Sequence, residues 1–151
     1  MNIAGGTYAK EPKGRIHQHA MEQMIATFLS TPQIIAVVGM SPDAARPSRY
    51  VPEFLERKGH TIIPIHPILK EIGHWRTKRS LREAKGATAV LIYMSPRNVD
   101  RVVEEAIMLK IPWIWLPLGV ETSLAEEVTQ NGLVLIQDRC PKIEWERLNN
   151  P

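Results

Sequence analysis

Cysteine is nearly absent from this chain: Cys140 is the single thiol in 151 residues. That excludes an internal disulfide and a zinc cage built from cysteines, so an apolar core has to hold the fold. Long apolar runs are missing too, with nothing near the roughly 20 residues that cross a bilayer, so no membrane partner is expected. The opening residues Met1-Asn2-Ile3-Ala4-Gly5-Gly6-Thr7 lack the apolar segment of a signal peptide, and the expected location is cytoplasmic. There is no HExxH, no nucleophile elbow and no carboxylate pair at catalytic spacing, which argues against an enzyme. His17 and His19 alternate as metal ligands can, yet no cysteine or carboxylate completes a set, and no metal is expected. A net charge of +3 favours anionic ligands and decides little else. The densest basic stretch carries Arg76, Lys78, Arg79, Arg82 and Lys85 with only Trp75 as an aromatic neighbour. It reads as a solvated helix face, not a nucleic-acid contact.

What is present is organised around residues 34–48. The β-branched run Ile34-Ile35-Ala36-Val37-Val38 stops at Gly39, as a central parallel strand buried on both faces does. The polar segment 41–48 then leads into a helix with Val51, Phe54, Leu55 and Lys58 on one face. Strand, glycine turn and helix start together make an anion cradle, because the first N–H groups of a helix are unpaired and its dipole is positive there.

Ahead of this unit, residues 1–14 read as an extended or mobile arm, with residues 1–18 set apart from a single domain over 19–151. Met21, Met24, Ile25, Phe28 and Leu29 then give an amphipathic N-terminal helix, which would cover the sheet or pair with a second copy in a homodimer. Beyond it the pattern predicts strands at 61–65, 87–93, 113–116 and 133–136. Helices are expected after Ser95, over 123–131 and over 142–148, with an irregular crossover and a helical turn near 80–84. The alternation implies α/β architecture: an open, doubly wound, mostly parallel five-stranded sheet of Rossmann-like type.

Ligands of such sheets lie beyond the carboxyl ends of the strands. A nicotinamide dinucleotide would want G-x-G-x-x-G and an acidic residue after the second strand, whereas this loop has Gly39 alone and His66 follows that strand. His66 would suit a ribose phosphate, so an NADP-dependent oxidoreductase stays open as an alternative. A Walker loop is excluded, because no G-K-[ST] follows the first strand.

The runs Val38-Gly39-Met40-Ser41-Pro42-Asp43, Arg46-Pro47-Ser48-Arg49-Tyr50-Val51, Gly59-His60 and Ile63-Pro64-Ile65-His66-Pro67 resemble the small stand-alone CoA-binding proteins. So do Trp115-Leu116-Pro117-Leu118-Gly119-Val120 and Asp138-Arg139-Cys140-Pro141-Lys142-Ile143-Glu144. The domain of that family is similar to the nucleotide-binding domain of succinyl-CoA synthetase. The resemblance implies binding of coenzyme A or an acyl-CoA by a non-catalytic carrier, with the adenosine near strand two and the pyrophosphate at the first loop. Gly39, Met40 and Ser41 would approach the phosphates, Arg46 would add charge, and Ser48 would cap the helix. His66, Pro67, Tyr93, Arg97, Leu118, Gly119 and Val120 would complete the rim. The chain departs from the family pattern at His66, at Pro117 and over residues 93–97, all on that rim. Cys140, beside Arg139 and close to Lys142, has the surroundings a reactive thiol needs, which gives a redox module as a further alternative.

Overall fold

The computed structural model describes the backbone of residues 5–150 and the side chains of residues 18–150. The chain forms two compact units, residues 1–31 and 32–151. The first contains one helix, α1 (Gly5–Ser30), with Met21, Met24, Ile25, Phe28 and Leu29 along one face. Residues 5–14, expected to form an extended or mobile arm, are therefore helical. An apolar stripe reports only those turns that carry one, and polar turns of the same helix leave no periodic signal. The arm expectation for residues 1–4, and the side chain of His17, fall outside the described residues.

The second unit runs β1 (Ile34–Val38), α2 (Pro47–Arg57), β2 (Thr61–Ile65), β3 (Glu71–Ile72), β4 (Trp75–Arg76) and β5 (Ala89–Ile92). It continues through α3 (Pro96–Met108), β6 (Trp113–Trp115), α4 (Ala125–Gln130), β7 (Val134–Ile136) and α5 (Pro141–Asn149). Five strands form one sheet in the order β2-β1-β5-β6-β7, and every pairing in it is parallel. This is the Rossmann-like α/β sheet that the alternating pattern predicts. Central strands so apolar along their length need cover on both faces. Val99, Val102, Val103 and Ala106 of α3 supply it on one face, against Ala36, Val90, Ile92 and Ile114. Because strand side chains alternate, Ile35, Val37, Leu91 and Trp115 turn to the other face, and all four are buried. That face belongs to α2 and α5, which pack together through an edge-to-face pair of Phe54 and Trp145, centroids 5.4 Å apart.

The link from β2 to β5 carries the expected helical turn, as a single 3-10 turn over Leu81–Glu83, but where an irregular crossover was expected it contains the antiparallel hairpin β3-β4. Two-residue strands are too short to show alternation, which is why the sequence hides them. Glu56 anchors the hairpin to α2 by accepting from Trp75 Nε1 at 2.7 Å, with His74 Nε2 at 2.7 Å on its other oxygen. Arg76, Lys78, Arg79, Arg82 and Lys85 are exposed as expected, but on this hairpin and turn and not on a helix. Among the described residues no helix is long and apolar enough to cross a membrane.

Candidate functional site

From β1 the chain goes out to β2 on one side, and β5 lies on the other. The connections diverge here, and a crevice opens beyond the carboxyl ends of the two strands. Gly39 ends β1 with φ +84°, and a Cβ built on it would lie 1.9 Å from the Tyr93 carbonyl oxygen. Tyr93 N–H in turn donates to Val38 O at 2.8 Å. Glycine is needed at this point because the end of β5 presses against it, in a conformation L side chains rarely adopt.

The loop that follows is pinned by its own polar groups. Asp43 N–H donates to Ser41 Oγ at 3.0 Å, and Ala45 N–H to Asp43 Oδ1 at 3.0 Å. Ser41 N–H reaches across to Ser48 O at 3.3 Å. Arg46 then occupies the N-cap position of α2 with Pro47 just inside, and no side chain caps this end. Ser48 therefore does not cap the helix, as its residue type suggested. Capping depends on the backbone turning out of the helix at the capping residue, and that turn falls at Arg46, which is extended. Pro47 brings no N–H, and the Arg49 and Tyr50 N–H groups both donate to Arg46 O at 2.9 Å, so the Ser48 N–H is the first-turn amide left to water or a ligand. Arg46 itself is 70% exposed and only 3.7 Å from Asp43, a loose surface pair that an anion displaces at little cost.

These groups border a cleft of about 610 Å³. Gly39, Ser41, Arg46 and Ser48 line it from the first loop and α2, and Tyr93 and Met94 from the end of β5. Pro117, Leu118 and Val120 follow β6 along the wall, and Cys140 and Ile143 close it from the start of α5. Like α2, α5 starts with proline just inside an uncapped N-cap residue, here Cys140. Two helix starts, each with the positive end of its dipole, thus border one cavity.

Other expected rim residues lie apart from this lining. Met40 is buried at 2% exposure beneath the loop. His66 Nδ1 accepts from Ile68 N–H at 3.0 Å and Leu69 N–H at 2.9 Å, holding the turn after β2, and Pro67 is exposed beside it. Arg97 is exposed on α3 outside the cleft. Gly119 is exposed too, its N–H donating to Asp138 Oδ1 at 2.7 Å. Pro117 and Met94, read as rim positions where the chain departs from the family pattern, line the cavity, and so do Pro47, Tyr50 and Ile143, which were not singled out.

Cys140 is half-buried, and its neighbouring cations are engaged. Arg139 Nη1 lies 3.2 Å from Glu144 and Lys142 Nζ 3.2 Å from Glu146, so the flanking charge expected to activate the thiol is largely neutralised on α5. The Tyr93 hydroxyl is buried with no hydrogen-bond partner. Burial, with Cys140 and Tyr50 adding to it, holds this phenol well above its usual range, so it stays a neutral donor.

An open parallel α/β sheet with its cleft at the switch point, walled by a glycine turn and two helix starts, defines a small Rossmann-like α/β protein. The chain belongs to the CoA binding domain family, which it matches over residues 33–146. It is similar to the uncharacterized protein YneT of Bacillus subtilis, at 27% identity over 83% of this chain and 95% of that one. Among solved structures it resembles a Thermus thermophilus protein, cell-free ID.343, with TM-score 0.76 and 27% identity over 84% of this chain and 98% of that one. A hypothetical protein from Pyrococcus horikoshii shares the fold, with TM-score 0.79 and 24% identity over 85% and 92% of the two chains.

Proposed function

We propose that this protein binds coenzyme A, free or acylated, in the switch-point cleft and acts as a non-catalytic binding or carrier module. The observation that supports this most is the junction of Gly39, Ser41 and Ser48 with the uncapped start of α2, under a loosely held Arg46. In this reading the diphosphate rests on the Ser48 amide and the positive end of α2, and the Arg46 guanidinium grips it with paired hydrogen bonds. The adenosine extends toward the end of β2 at His66 and Pro67, and the pantetheine arm runs past Tyr93 toward Leu118, Val120 and Cys140. Met40, Arg97 and Gly119 act in it only by shaping or flanking that rim. Equilibrium dialysis with labelled CoA tests it: binding in the micromolar range supports the reading, and no saturable binding at millimolar CoA defeats it. Incubation with acetyl-CoA should release no free thiol; steady thioester hydrolysis would contradict the non-catalytic part.

The position of Cys140 in the same wall favours one second reading, a redox-sensitive carrier. The Cys140 thiolate would attack CoA disulfide, forming a Cys140–CoA disulfide as the original S–S bond breaks and one CoA thiolate leaves. Intact mass measurement after treatment with CoA disulfide decides it. An adduct of one CoA, absent in Cys140→Ser and reversed by dithiothreitol, supports the idea, and no adduct removes it.

A further inference from the structure

The polar groups of the cleft gather at its α2 end, beside Pro47 and Tyr50, and the rest of its wall is mostly apolar. Ser41, Arg46 and Ser48 stand at the α2 end. Two strand spacings away, about 10 Å along the sheet, Pro117, Leu118 and Val120 follow β6, with Met94 after β5 between them and Ile143 reaching in from α5. Leu118 keeps 64% of its surface exposed and Ile143 51%, and both border the cavity. Large apolar side chains left in water beside a cavity mark a place where an apolar group docks. The side-chain cations nearest this wall, Arg139 and Lys142, are paired with Glu144 and Glu146, so the wall offers an acyl chain its apolar faces and offers an anion only the uncapped start of α5.

We infer that the ligand is a CoA thioester with a straight aliphatic acyl group, whose chain lies across Leu118 and Ile143 at the far end of the cleft. This rests on the proposal that CoA occupies the cleft with its phosphates at α2. A phosphate end fixed at Arg46 sends the pantetheine arm along the cleft, and its sulfur emerges among the apolar residues near Cys140. Free CoA, whose thiol end only reaches Leu118, would leave much of that side chain and Ile143 uncovered, whereas an acyl chain covers both, and each methylene buried contributes about fourfold in affinity.

Calorimetric titration of the full chain with CoA, acetyl-CoA, succinyl-CoA and hexanoyl-CoA tests this. Hexanoyl-CoA should bind at least about tenfold tighter than CoA, and succinyl-CoA no tighter than CoA. In Ile143→Glu, the ratio of hexanoyl-CoA to CoA affinity should fall to about threefold or less. CoA binding with equal affinity across the series would overturn the acyl inference and leave the CoA reading intact. Tightening by succinyl-CoA equal to that by hexanoyl-CoA would also overturn it. If neither CoA nor any thioester binds, the CoA reading itself fails.

Discussion

Gly39 shows how one residue can be recognised in a sequence for only half of its reason. A glycine closing a β-branched run marks a turn, and a turn there is what forms, with φ +84°. The other half is Tyr93, whose carbonyl occupies the space of a Cβ, and no local pattern announces a neighbour so far along the chain. Gly39→Ala should therefore cost more than the roughly 1–2 kcal/mol of a left-handed backbone alone. Urea denaturation measures it, and a loss under about 1 kcal/mol would mean that β5 yields easily at this point. At Arg46 the order of legibility is reversed. Residue type suggested Ser48 as the cap, but backbone geometry assigns that position to Arg46 and leaves its side chain loosely paired. If the guanidinium grips phosphate, Arg46→Ala weakens CoA binding about tenfold, the worth of a charge-assisted hydrogen bond. Arg46→Lys recovers only part of that, because an ammonium lacks the paired geometry. Titration of the three proteins side by side reads both effects.

The main elements of the second unit were legible because each is a regular segment between clear stops. The run 34–38, the stripe of Val99, Val102, Val103 and Ala106, and the closing glycines announce elements close to those observed. The ties between elements were not, since they join residues distant in the chain. Asp100 of α3 is one such tie. It accepts from Ser123 Oγ at 2.5 Å, from Thr122 Oγ1 at 2.5 Å and from Ser123 N–H at 3.1 Å, fixing the segment ahead of α4. The bonds from Ser123 and then Thr122 hold its carboxyl below the usual carboxylate range. A depressed folded value means that the contribution to stability is present above the unfolded pKa, near 3.9, and is lost as pH falls through the folded value. Asp100→Asn should thus destabilise at neutral pH, by no more than about 1 kcal/mol because water screens this exposed carboxylate. Thermal melts of the two proteins should converge as pH drops below about 4. A gap unchanged by acid would show that the carboxylate charge is irrelevant there. The hairpin β3-β4 offers a second case. Glu56→Ala leaves the Trp75 indole N–H, part-buried, without its acceptor, and should cost roughly 1–3 kcal/mol. Chemical denaturation checks that value.

At the scale of the whole molecule, the strand order β2-β1-β5-β6-β7 assembles the cleft from loops that are separate in sequence. Alternating strands and helices predict such a sheet, and the family match over residues 33–146 agrees with the resemblance read from the scattered runs. Which rim residues face the cavity was less readable. His66, expected on the rim, holds a turn through Nδ1 and lies apart from the cavity lining, while Ile143 looked like an ordinary helix residue and stands in the wall. Orientation around a turn or a helix start depends on dihedral angles that residue type alone does not fix. A bound ligand would stabilise the fold by mass action, about 2.7 kcal/mol at a hundredfold excess over Kd. The central claim, a cleft shaped for coenzyme A and not for a nicotinamide dinucleotide, is tested most directly by calorimetric titration with CoA, NAD and NADP on one preparation. The account predicts saturable micromolar binding of CoA and none of NAD or NADP at the same concentrations. NADP binding with CoA silent, or unable to displace it, would contradict the claim.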